Sequence, residues 1–124
     1  MTNKLPFVVG HTYSRKDIYE LLYVPLERQK GNWNTGYHRY NDDWFIFANI
    51  NTSGRTGIGN DLCWFGRTNS HLSQPNIRLL LNPKGNVFIF IRKDNRNKFT
   101  YIGRGSVKEY KDTVPVNIIW RIEE

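Results

Sequence analysis

Residues 44–50 are aromatic or β-branched with almost no polar interruption before Asn49, a pattern that predicts a strand buried on both faces. Residues 62–65 give the same signal more briefly, 87–92 and 98–103 give it strongly, and 116–122 closes the series behind Pro115, which sits where a strand can begin. The connection 93–97 is short and basic, so the strands on either side of it are predicted to pair as a hairpin. Helical spacing occurs twice. Ile18, Leu21 and Leu22 share a face behind Ser14, a good N-cap residue, and Pro25 stops that helix. Ile77, Leu80 and Leu81 face one way behind Ser73-Gln74-Pro75, before Asn82-Pro83-Lys84-Gly85 turns the chain. Residues 51–60, rich in Gly, Ser and Thr, read as a long loop.

About five strands and two short helices follow, with no repeat, linker or low-complexity tract between them, so residues 1–124 read as one domain. Most connections are too short for parallel crossovers, and almost every strand is apolar on both alternations. The expected fold is α+β: a small, curved, mainly antiparallel sheet or a partly closed β-barrel, with one face lining the barrel and the other covered by the two short helices.

Charge adds a partner class to this picture. The chain carries a formal charge of +7 and a sequence pI near 9.7, which makes nucleic acid the leading partner. The bases concentrate at Arg92, Lys93, Arg96, Lys98 and Arg104, broken by Asp94. No basic amphipathic helix and no apolar run of spanning length points to a membrane, and residues 1–7 lack an apolar signal core, so cytoplasmic residence is expected. Cys63 is the only cysteine and, between Leu62 and Trp64, reads as a strand or core residue.

No catalytic constellation emerges, and neither a metal nor another cofactor is expected. His11, His38 and His71 are scattered without ligand spacing. Asp42 and Asp43 precede a strand, but the paired-carboxylate arrangement of a metal-dependent nuclease also needs a Glu-x-Lys on a second strand. Glu109-Tyr110-Lys111 has those letters in a polar segment before the last strand, which leaves a small nuclease as the weakest reading. Gly54-Arg55-Thr56-Gly57-Ile58-Gly59 lacks the Lys-Ser/Thr ending of a phosphate loop, although its amides and Arg55 could hold a phosphate. Binding is the function that remains.

Residues 31–40 carry the best candidate binding element. Gly31 and Gly36 bracket Trp33, with Tyr37, His38, Arg39 and Tyr40 following, so backbone can approach a planar ligand that an aromatic face stacks on. The alternative is a hairpin that tucks Trp33 over the core. Trp44 and Trp120 lie in apolar strands and are assigned to the core, whereas Trp64 suits either a pocket wall or the core. Asn49 and Asn51 share an alternating face and could satisfy the edge of a base. The base-pocket candidates are therefore Trp33, Tyr37, His38, Asn49, Asn51 and Trp64. Arg15, at the start of the first helix, would hold a phosphate, or pair with Asp17 or Glu20; Arg39, Arg55, Arg67, Arg92 and Lys93 complete the phosphate-binding set.

Phe7-x-x-Gly10-x-x-Tyr13-x-Arg15-x-x-Ile18, the Gly31-x-Trp33-x-x-Gly36-Tyr37 loop, the Phe88-Ile89-Phe90-Ile91-Arg92 strand and the Phe99-Thr100-Tyr101-Ile102-Gly103 to Pro115-Val116 ending carry a resemblance over nearly the whole chain. They resemble a small domain of unknown function found at the C-terminus of superfamily II helicases and beside HNH nucleases in bacterial restriction and phage-defence proteins. That domain is similar in pattern to the PUA-like group, which includes the SRA, EVE and YTH readers of modified bases. The resemblance implies a PUA-like fold and a reader that accepts a base into an aromatic pocket and holds flanking phosphates with basic residues. It also implies a helicase or nuclease effector, absent from this sequence. A protein-interaction or inhibitor module of a phage or mobile element is the alternative.

Overall fold

The computed structural model describes residues 7–29, 37–49, 61–66, 69–92 and 98–123. Among them are seven strands and two α-helices: β1 (Thr12–Tyr13), α1 (Arg15–Leu22), β2 (Tyr37–Tyr40), β3 (Asp43–Asn49), β4 (Asp61–Phe65), α2 (Pro75–Leu81), β5 (Val87–Arg92), β6 (Phe99–Lys111) and β7 (Asn117–Glu123). A 3-10 turn at Leu26–Arg28 follows α1. The strands form one mixed sheet in the order β2-β3-β5-β6-β7-β4, with β1 added to β6. The sheet is open, so the barrel alternative is corrected, and the α+β class stands.

The two-sided strand predicted at 44–50 is β3, and it explains the layering. Trp44 and Ile46 point to one face; Phe45 and Phe47 point to the other. Neighbouring β5 alternates in phase, with Val87, Ile89 and Ile91 on the first face and Phe88 and Phe90 on the second. Each face therefore needs its own cover. Ile77 and Leu80 of α2 close the aliphatic and tryptophan-rich face, while Ile18 and Tyr19 of α1, with Phe7, close the phenylalanine face. The expectation of helices on one face only is thus corrected to one helix on each. Trp44 and Trp120 are core residues, as their contexts predicted.

Strand β3 pairs with β5 in parallel, Trp44 opposite Val87 through Asn49 opposite Arg92. Among the described residues this is the one departure from antiparallel pairing. It is possible because the chain between the two strands is long and houses β4 and α2, as a parallel connection requires. The hairpin predicted around 93–97 is the antiparallel pair β5–β6. The polar segment before the last strand is itself strand: β6 runs through Glu109-Tyr110-Lys111, and its exposure removed the apolar signal that would have extended the prediction. Leu21, assigned to the buried face of α1, is 42% exposed, and Tyr19 takes its place in the core.

One long strand joins the two halves of the sheet. The first part of β6 pairs with β5 as far as Arg104, and the second pairs with β7 from Arg104 to Lys111. Register shifts occur on β6 between its pairings with Ile89 and Phe90, and again between Val107 and Glu109. Bulges of this kind bend a strand and increase its twist. Gly103, at the first shift, has φ +132°, and a Cβ there would collide with the Glu123 carbonyl oxygen. Gly103→Ala is expected to destabilise the domain by more than about 1 kcal/mol, since alanine meets both an unfavourable backbone region and a clash. Chemical denaturation measures it, and an unchanged midpoint would show that the bend does not depend on this glycine.

Tyr101, buried on the phenylalanine face, has its pKa raised from 10 to about 12, chiefly by burial. Raising an acidic group's pKa on folding means that the unfolded chain loses that proton first. Stability is therefore unaffected below about pH 10 and falls between pH 10 and 12, by an amount on the order of 2 kcal/mol at the top of the window. Tyr101→Phe is expected to flatten that part of the unfolding free energy measured at pH 9 to 12.

Candidate functional site

The sheet has one end at which several elements converge. There β3 stops at Asn49, β5 stops at Arg92 directly opposite it, and β6 begins at Phe99 beside the end of β5. Strand β2 begins midway along β3, Tyr37 opposite Ile46, and runs away from this end. In open α/β sheets ligands bind outside the carboxyl ends of parallel strands, and β3 and β5 present such a pair of ends here.

Helix α1 starts over this end. Ser14 caps it as predicted: its hydroxyl accepts from the Asp17 amide at 3.0 Å while the Asp17 carboxylate accepts from the Ser14 amide at 2.9 Å. The cap fixes where Arg15, the first helical residue, projects. Its guanidinium lies 4.8 Å from the centroid of Phe47 and 5.0 Å from that of Phe99. Arg92, from the end of β5, lies 4.2 Å from the same Phe99 ring. Two cations thus share one aromatic floor, each drawn to the negative face of the ring.

The electrostatics of this pair are those of crowded like charges. Burial pushes the Arg15 guanidinium below its ordinary value, Arg92 adds to the shift, and Tyr19 opposes it. Arginine starts so high that it stays cationic at neutral pH. Lys98 adds a third cation, 3.5 Å from the Asp17 carboxylate. That carboxyl is held below its usual value first by the Ser14 amide and further by Lys98. Asp17 is therefore the partner of the cap and of Lys98. A compact basic cluster on an aromatic platform can hold an anion and present flat cationic surface to a planar group.

Of the sequence-predicted phosphate set, the structure brings Arg15 and Arg92 together. Arg39 lies elsewhere: it is exposed on β2, opposite Trp44, where with Asp42, Leu79 and Lys84 it lines a shallow surface hollow at the opposite end of the sheet. Arg55, Arg67 and Lys93 lie outside the described residues. The base-pocket set divides as well. Tyr37 and Trp64 meet edge to face, ring centroids 5.3 Å apart, at 2% and 5% exposure. They belong to the core under α2, and for these two the wall-of-a-pocket assignment gives way to packing. The reason is register: Tyr37 alternates onto the face that carries Ile46's neighbours, and Trp64 falls opposite Ile118 beside Trp120. His38 is half-buried on the other face, across from Phe45. Asn49 sits beside Arg92 in the backbone register, while Trp33 and Asn51 lie outside the described residues.

Sequence reading did not single out Phe47 and Phe99 as the floor of the site, nor Lys98 as its third cation. Both phenylalanines carried only a core signal. The carboxylates of the nuclease reading are not brought together either. Asp43 opens β3, its carboxylate accepting from the Asn86 amide at 2.8 Å, whereas Glu109 lies two strands away, on the part of β6 that runs past the start of β5. Among the described residues no three His, Cys, Asp or Glu side chains gather to hold a metal ion, and no helix is long and apolar enough to cross a membrane.

An open mixed sheet with a helix on each face and a basic, aromatic-floored end defines the class of domain. Residues 7–124 match the family described as Domain of unknown function (DUF3427), and the chain belongs to that family. No curated protein matches its sequence.

The cap is the element that positions Arg15. Ser14→Ala is expected to cost about 1 kcal/mol of stability in urea unfolding, and Ser14→Asn to retain most of it; equal stability of all three proteins would mean that packing alone sets the start of α1.

Proposed function

We propose that this domain binds nucleic acid, DNA first, through the sheet end where Arg15, Arg92 and Lys98 gather, and that it reads a modified base in the service of restriction or phage defence. The observation that carries the reading is the pair of guanidinium groups on Phe99 at the start of α1. Two guanidinium groups over one ring present planar donors of the kind that hold a phosphate. A net charge of +7 adds long-range attraction to the same polyanion.

The base-reading part rests on the resemblance to PUA-like readers. With Tyr37 and Trp64 in the core, base contact falls to Trp33, His38, Asn49 and Asn51. A helicase or nuclease partner would supply the chemistry that follows recognition. Exposed Leu21, Tyr23 and Leu26 around the end of α1 favour protein docking as a second reading, and such a patch suits an effector as well as an inhibited enzyme.

Fluorescence anisotropy with duplexes bearing cytosine, 5-methylcytosine, 5-hydroxymethylcytosine or phosphorothioate tests both parts. Wild-type binding should weaken steeply between about 50 and about 200 mM salt, and Arg15→Ala with Arg92→Ala should reduce the log–log salt slope by about 2. Trp33→Ala should erase any preference among the modified duplexes while leaving that slope alone. No salt-sensitive binding to any duplex would end the nucleic-acid reading.

A further inference from the structure

Strand β6 is longer than its neighbour on one side. Strand β5 accompanies it only as far as Arg104, while β7 lines its other edge from Arg104 to Lys111. Among the described residues, the β5-side edge beyond Arg104 pairs with no strand. The side chains of Glu109, Tyr110 and Lys111 are all exposed there, Tyr110 at 52%. An unpaired strand edge is a template for another strand, and proteins usually blunt such edges with scattered lysines or bulges.

The charges on this edge do not simply blunt it. Lys108-Glu109-Tyr110-Lys111-Asp112 runs positive, negative, neutral, positive, negative. Laid antiparallel against itself about Tyr110, every charge meets its opposite.

We propose that the free edge of β6 is a self-association surface, on which a second copy of this chain pairs antiparallel about Tyr110, Glu109 of each copy facing Lys111 of the other. Directly opposite residues share a face, so Tyr110 meets Tyr110 on one side of the joined sheet and the two reciprocal ion pairs form on the other. Registers displaced within two residues are disfavoured: they bring Lys108 to Lys111, Glu109 to Asp112, Glu109 to itself or Lys111 to itself. Since a one-residue slip also exchanges the faces, the register about Tyr110 is well specified. The bulge between Val107 and Glu109 bounds the pairing on one side, and Lys108 is engaged by Asp61 of its own chain. So short an edge buries less than the roughly 1,000 Å² of a stable interface, and the dimer is a weak, concentration-dependent one.

Sedimentation velocity over a concentration series of the full chain tests it. Wild type should pass from monomer toward dimer as concentration rises, more readily at low salt. Glu109→Lys or Lys111→Glu alone sets like charges opposite and should weaken association at least about tenfold. The double variant with both changes restores opposite pairs and should restore the dimer. Circular dichroism on all three variants checks that the exposed positions leave the fold intact. A wild type that stays monomeric throughout, or a dimer that neither single change weakens, or a loss that the double variant fails to repair, overturns the proposal.

Discussion

Burial of β3 and β5 on both faces is the constraint from which the rest of this domain follows. A strand that is apolar on both alternations cannot sit on a sheet with one wet face; it needs a layer above and a layer below. The two faces are chemically different, with phenylalanines meeting α1 and β-branched and tryptophan side chains meeting α2. The helix that covers the phenylalanine face starts at the end of the sheet where β3 and β5 stop. Its first residue therefore meets the last rings of that face, Phe47 and Phe99. The basic site is thus a by-product of the layering: core rings become a floor where the sheet runs out.

A second consequence is mechanical. With β3 and β5 parallel, the chain between them must leave the sheet, and it does so by building β4 at the far edge and α2 beneath. Strand β6 then spans both halves of the sheet, and its two register shifts reconcile the direction of β5 with that of β7. Gly103 permits the first, where the backbone passes against Glu123. The price of the long strand is an edge that β5 does not reach, and that edge bears the alternating charges of residues 108–112.

The core and the site compete for the same aromatic residues. Tyr37 and Trp64 have the polar tips and flat faces that suit a base, yet in this fold they meet each other under α2. Phe47 and Phe99 have no polar group at all, and they carry the cations. Under the proposed function, recognition at this end of the sheet would rest on charge placed over apolar rings, with hydrogen-bonding side chains supplied from around it.

Several elements were legible in the sequence alone, because each is fixed by neighbours close along the chain. The α1 cap was readable from Ser14 and the following turn, the helix through Pro75 from its N-terminal proline and spacing, the β5–β6 hairpin from two apolar runs around a basic connection, and the burial of Trp44 and Trp120 from their strands. The places of Arg15 at a helix start and Arg92 at a strand end were readable from the same local patterns. The tertiary structure decided what distant segments do to one another. Parallel pairing of β3 with β5, an open sheet in place of a barrel, and the meeting of Arg15 with Arg92 on Phe99 all join positions far apart in sequence. The physical reason is that a periodic pattern specifies which face is apolar, whereas pairing partners and register are chosen by whole-sheet packing, where the central strands must bury both faces at once.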